Sequence, residues 1–220
     1  MPSWNIHTAH VERLLREEGA DALGITDVNA FLFGNLAPDI YVGYMVPNIS
    51  YRIDYKLTHL TTREHIPLPR HDDFWDFYVA RQKSVSDLTL GAWSHMVADH
   101  VYNAHTRAYL AKIGVEPGER ARVGKQADFA LFGRTLDISL VPHLDEALLR
   151  QCREFGPYTI LEHDARGAVD TARSIVEKNR AEHVDGTPEY QLLTAEFFEA
   201  ARQEAHETIV RGLRSRVLHQ

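Results

Sequence analysis

The sequence predicts an all-α fold: a compact multi-helix domain with a long central metal-binding helix. Three observations carry that expectation. Apolar residues recur at helical spacing through several long stretches, helix caps and stops bracket those stretches, and no convincing run of alternating strand residues appears. The chain has 220 residues, 44% of them hydrophobic and 25% charged, enough to bury one sizeable core. It reads as a single domain spanning residues 1–220.

A first helix is expected from about Asn5 through HTAHVERLLREE, ending before Gly19. A second starts after Thr26 or Asp27, carries Phe31, Leu32 and Leu36, and stops near Pro38. The mixed polarity and three prolines of residues 39–70 predict an ordered loop with one short helix, long enough to suggest a functional role. Residues 72–82 suit a helix with acids in its first turn, where they complement the dipole. The longest pattern runs from Ser86, a cap, to Ile113, with Gly114 as the stop and Gly91 allowing a close helix contact. Further helices are expected at 118–140, where Phe129, Phe132, Leu136 and Leu140 recur and Pro142 closes, and at 143–154 and 165–181. A last helix is expected from about Pro188 to Val217.

The net charge of −7 offers no general nucleic-acid or anionic-membrane surface. No stretch approaches the apolar length of a membrane helix, so integral membrane association is not expected. The start, MPSWNIHTAHVERLL, lacks a basic region followed by an apolar run, so a cytoplasmic location is expected. A lone cysteine, Cys152, fits that compartment as an unpaired thiol. Long helices leave a homodimer open.

Thirteen histidines point to metal chemistry, because several share short segments with acids. His95 and Asp99 lie four apart, so both face one side of the central helix and can meet one cation. His105 lies about 15 Å farther along the axis by helical rise and turns to a flank, which suits a neighbouring ion. One helix cannot enclose an ion, so the remaining ligands must come from elsewhere. His7 or His10 on the first helix, with Asp39 and His59 on the loop, are the candidates. Imidazoles and carboxylates suit zinc as the expected ion, with iron or manganese as alternatives because no thiolate narrows the choice.

WNIH near the start, GNLAPDI ending on Asp39 and Ile40, KLTHL containing His59, and the H-x3-D-x5-H pattern of His95, Asp99 and His105 together resemble the zinc-dependent phospholipase C family, an all-helical hydrolase superfamily that includes trimetal nucleases. The four pieces occur in order over residues 4–105. The resemblance implies that Asp39, His59, His95 and Asp99 surround one zinc. By the same resemblance Asp99 bridges to a second zinc held partly by His7, and His105 belongs to a third site. Two features depart from the family. Trp4 follows Met-Pro-Ser, so its backbone amine is not free to ligate and it reads as a packing residue. The downstream histidine and acid of a third site are missing as a clean pair, with Asp128, Asp137 and Glu119 as weak substitutes. Two zinc ions are therefore expected.

The function this implies is a metal-dependent hydrolase acting on a phosphate ester, either a small molecule or a lipid headgroup, with Asp39 and Asp99 as catalytic carboxylates. The alternative is a metal-stabilised or degenerate non-enzymatic interaction protein. The dipeptides His71-Asp72 and His163-Asp164 are too short to indicate another phosphohydrolase pattern. His143, Asp145 and Glu146 read as a solvated helix start. The basic stretch GERARVGK reads as a solvated turn and helix start.

Overall fold

The computed structural model describes residues 2–62 and 64–218. Among these, ten α-helices and one 3-10 turn occur and no strand. The helices are α1 (Trp4–Glu17), α2 (Val28–Gly34), α3 (Ala37–Ile40), α4 (Tyr55–Thr58), α5 (His71–Tyr78), α6 (Asp87–Lys112), α7 (Glu119–Arg134), α8 (Glu146–Arg153), α9 (Glu162–Ala181) and α10 (Ala195–Leu218).

Helix α6 is the axis of the molecule. Its 26 residues make a rod about 39 Å long at 1.5 Å per residue. Ser86 caps it, its Oγ accepting from Thr89 N at 3.2 Å, and Gly114 follows with a left-handed φ of 66° that ends it. From Asp87 to Asp99 every residue is buried, because neighbours cover α6 on several sides. Helices α2, α10, α5 and α3 all pack on it.

The tightest of these contacts is made of backbone. A methyl group on Gly91 would run into the carbonyl oxygen of Phe31, and one on Gly34 into the carbonyl of Leu88. Two glycines thus let α2 and α6 touch without side chains between them. On the opposite flank the Trp93 ring lies against Gly212 of α10.

The expected elements are present with shifted limits. The second helix breaks at Gly34 and restarts at Ala37, with Pro38 in the first turn of α3 where its missing N–H costs nothing. The 39–70 segment holds one further short helix, α4, capped by Asp54. The helix expected over 118–140 ends at Arg134. Beyond it, the Leu136 carbonyl accepts from Asn179 Nδ2 at 2.7 Å and the Leu140 amide donates to Glu12 at 2.6 Å. These partners draw the chain away from helical hydrogen bonding. The last helix begins at Ala195 rather than Pro188, with Thr194 Oγ accepting from Phe197 N. Ahead of it, Asp128 accepts the amides of Gln191, Leu192 and Leu193 at 2.7–2.8 Å and fixes a loop there.

Candidate metal centre

Five side chains from separate parts of the chain converge beside α6. His7 comes from α1, Asp39 from α3, His59 from the residue that closes α4, and His95 and Asp99 from α6. They form two overlapping triads, His7–His95–Asp99 and Asp39–His59–His95. The ligand atoms within each lie no more than 4.8 Å from one another. The domain therefore contains a buried His/Asp cluster able to coordinate a divalent metal ion.

Ring orientation is fixed from behind. His95 Nδ1 lies 3.0 Å from the Asn35 carbonyl oxygen, which can only accept, so Nδ1 carries the proton and Nε2 is a bare lone pair. The Thr58 hydroxyl donates to the Tyr55 carbonyl at 3.2 Å and meets His59 Nδ1 at 2.7 Å. With the hydroxyl proton on the Tyr55 carbonyl, its oxygen accepts from His59 Nδ1 and leaves His59 Nε2 bare as well. The two bare nitrogens face each other at 3.1 Å. In these tautomers the two lone pairs repel at that distance and a cation between them reverses the sign, whereas a proton on His59 Nε2 makes the same contact a hydrogen bond.

Carboxylates complete the enclosure. Asp99 Oδ2 lies 3.6 Å from His59 Nε2 and 3.7 Å from His95 Nε2. Asp39 Oδ1 lies 3.7 Å and 4.0 Å from the same two nitrogens. Ligands bonded at about 2.0–2.2 Å to one ion sit about 3–4 Å apart, which these spacings match. His7 Nε2 is 3.4 Å from Asp99 Oδ1. Among the described residues neither His7 Nε2 nor Asp99 Oδ1 has a hydrogen-bond partner. A buried polar atom left in that state costs about 1–3 kcal/mol, so an ion at this edge answers an existing deficit. Because both triads use His95 and its Nδ1 is engaged, that ring serves one ion only.

Electrostatics favour the ligand forms. Burial pushes His7 down to about 4, helped by His95, and pushes His59 down to about 3, so both rings are neutral at pH 7. Burial pushes the Asp99 carboxyl up, but the surrounding His95, His7 and His59 rings outweigh it and hold it well below the usual range. Burial raises Asp39. Neutral imidazoles beside carboxylates are a donor set for zinc, iron or manganese.

Of the two histidines the sequence left as alternatives, His7 stands in a triad and His10 does not. His10 is buried away from both triads, with Nε2 3.3 Å from the Tyr102 hydroxyl. His105 joins neither triad. Its Nε2 pairs with Glu204 at 2.7 Å. Of the weak third-site substitutes, Asp128 spends both oxygens on backbone amides and Glu119 pairs with Arg122. Asp164 of the second His-Asp dipeptide accepts from Tyr41 and Ser50, a structural role.

Three supporting residues escaped the sequence reading, and Trp4 does more than pack. Asn35 orients His95 and also donates its Nδ2 to the His7 carbonyl at 2.9 Å. The Tyr55 hydroxyl donates to Asp99 Oδ2 at 3.2 Å while its ring stacks on His59 with centroids 3.8 Å apart. Trp4 is buried as expected of a packing residue, and its Nε1–H also donates to Asp39 Oδ2 at 3.1 Å. Lys125, in the stretch expected to be solvated, is buried on the inner face of α7. Burial pushes its ammonium down while Asp99 pulls it up.

Comparison of the chain with protein-family models, with curated proteins and with solved structures finds no match. Among the described residues no helix is long and apolar enough to cross a membrane.

Proposed function

We propose that this chain is a metal-dependent hydrolase acting on a phosphate ester, with zinc as its ion and Asp39 and Asp99 as its working carboxylates. The observation that carries this reading is the convergence of the Nε2 atoms of His59 and His95, 3.1 Å apart, with two carboxylates flanking them. The resemblance of WNIH, GNLAPDI, KLTHL and the His95/Asp99/His105 pattern to the zinc-dependent phospholipase C family supports the phosphate-ester chemistry. A small phosphate ester or a lipid headgroup, met in the cytoplasm, is the substrate class in keeping with it. The first ion would be held by Asp39, His59, His95 and Asp99 Oδ2. A second would lie between His7 Nε2 and Asp99 Oδ1. His105 stays outside this two-ion arrangement.

When bound, such ions supply a Lewis acid that holds phosphate oxygens and acidifies water. The chain's own residues do the rest. Trp4 Nε1 occupies Asp39 Oδ2 and leaves Oδ1 directed at the cluster. Burial raises the Asp39 carboxyl, which makes it a stronger proton acceptor than a solvated aspartate. Tyr55 fixes Asp99 Oδ2, and Asn35 and Thr58 lock the two imidazole tautomers.

Metal content per chain, measured on protein purified without added metal and repeated for His95→Ala with Asp99→Ala, tests the reading. One to two equivalents that vanish in the variant support it. Near-zero metal in both, with unchanged helicity, overturns it.

A second reading is a metal-stabilised interaction protein without turnover. It is favoured by the sealing of His7, His59, His95 and Asp99, each at most 1% exposed, since structural sites are closed and catalytic ones keep an open position. Metal uptake without hydrolysis of any phosphate ester would decide for it.

A further inference from the structure

Entry to the centre is confined to one side. His7, His59 and His95 are 0% exposed and Asp99 1%, whereas Asp39 keeps 7% of its surface. That surface opens into a cavity of about 280 Å³ between the segment after α3 and the outer flank of α7. Its wall is formed by Asp39, Val42, Met45, Phe129 and Ala130, with Pro2, the polar Ser3 and Gln126 beside them and Tyr44 at the rim, where that ring is 82% exposed.

The chemistry of the wall restricts what can lie in it. Among the described residues it carries no lysine or arginine, so negative charge on an occupant must be taken up at the centre. Apart from Asp39, the charged group in the wall, its contacts are chiefly aliphatic, aromatic and thioether. A cavity of about 150 Å³ accepts benzene, so the space here admits a ring or a short alkyl group with its linking atoms. A polyanion fits poorly, since its further phosphates would lie against an uncharged wall.

We propose that this cavity is the substrate entrance and that it selects phosphate esters bearing one uncharged aryl or short alkyl group next to the phosphate. The inference rests on the metal-hydrolase reading. Asp39 stands at the junction of the two parts, and Met45 and Ala130 grip the uncharged group from opposite walls.

The test uses the full chain loaded with zinc, its metal content measured, and two non-hydrolysable probes that share a headgroup: methylphosphonate and phenylphosphonate. Calorimetric titration is expected to show phenylphosphonate binding at least about tenfold tighter, the gain of burying one ring. Ala130→Trp is at an exposed helical position and fills the cavity. It is expected to reduce the preference to within about threefold while leaving methylphosphonate affinity and zinc content unchanged. Met45→Gln, which puts an uncharged polar end on the opposite wall, is expected to do the same and stands in if the tryptophan variant loses helicity. Equal affinities in the parent chain, failure of zinc-loaded protein to bind either probe, or survival of the preference in both variants would overturn this inference and leave the metal reading intact. Failure to take up zinc would overturn both.

Discussion

The side-chain amide of Asn35 donates to the main-chain carbonyl of His7 across 2.9 Å. The same residue's own carbonyl receives Nδ1–H of His95, so one asparagine at the end of α2 sets two ligands from different helices. Asn35→Ala keeps the second bond and deletes the first, while the His7 carbonyl keeps its helical partner inside α1. The expected cost is the net worth of one hydrogen bond, about 0.5–1.5 kcal/mol of stability, with zinc affinity falling about 10- to 100-fold, the usual effect of losing an orienting partner. Thermal unfolding and competitive zinc titration read the two effects separately. An unchanged zinc affinity would mean that the His7 carbonyl contact does not govern ligand placement.

Zinc should stabilise the folded chain by mass action. At a free concentration about 100 times its Kd the gain is about 2.7 kcal/mol, which for a chain of this length raises Tm by about 5–10 °C. His59→Ala should abolish that rise while the metal-free protein remains folded. A rise of the same size in the variant would place the ion elsewhere.

Acid should destabilise the metal-free protein strongly. Burial holds His7 at about 4 and His10 and His59 at about 3, against about 6.5 in the unfolded chain. The folded values are depressed, so the unfolded state binds more protons once pH falls below 6.5. Stability is fully present above that value and is lost as pH falls towards the folded values. Between pH 7.5 and 5 each of the three rings should remove about 2 kcal/mol. His10→Phe removes one of the three without touching a candidate ligand, and the pH-dependent loss in urea midpoints should shrink by about a third. A loss that His10→Phe leaves unaltered would show that His10 is already protonated in the fold.

Two glycine substitutions should have opposite signs. Gly91→Ala drives a methyl group into the Phe31 carbonyl and should cost about 3 kcal/mol or more, because backbone must move. At Gly124 an added Cβ would meet only the Leu192 side chain, at 3.4 Å, an ordinary contact. Gly124→Ala inside α7 should therefore stabilise by about 0.5–1 kcal/mol. Paired thermal melts check both, and equal effects would contradict the backbone contact between α2 and α6.

The parts of this architecture that local chemistry controls were legible in the sequence. Ser86 and Gly114 bracket α6 as their types require, and the four-residue spacing of His95 and Asp99 places both on one face. Long-range partners were not legible. The early end of α7 depends on Glu12 and Asn179 reaching residues 136–140, and the late start of α10 on Asp128. Neither has a signature in local pattern. The choice of His7 over His10 is likewise a matter of helix rotation, since both are buried in α1 and only packing decides which faces α6. Lys125 looked solvated because its neighbours Arg120 and Arg122 are.

The five residues of the centre are scattered from position 7 to position 99, and only His95 and Asp99 are close enough in sequence to meet before tertiary structure exists. An unfolded chain thus offers an ion little more than isolated imidazoles and carboxylates. Four segments must close on one another, and the α2–α6 seam must seat, before the donors stand together. Capture of a metal by this cluster would consequently come late in the life of a newly made chain. The order would run from folding to loading, because the donors stand together only once the helices have docked in register.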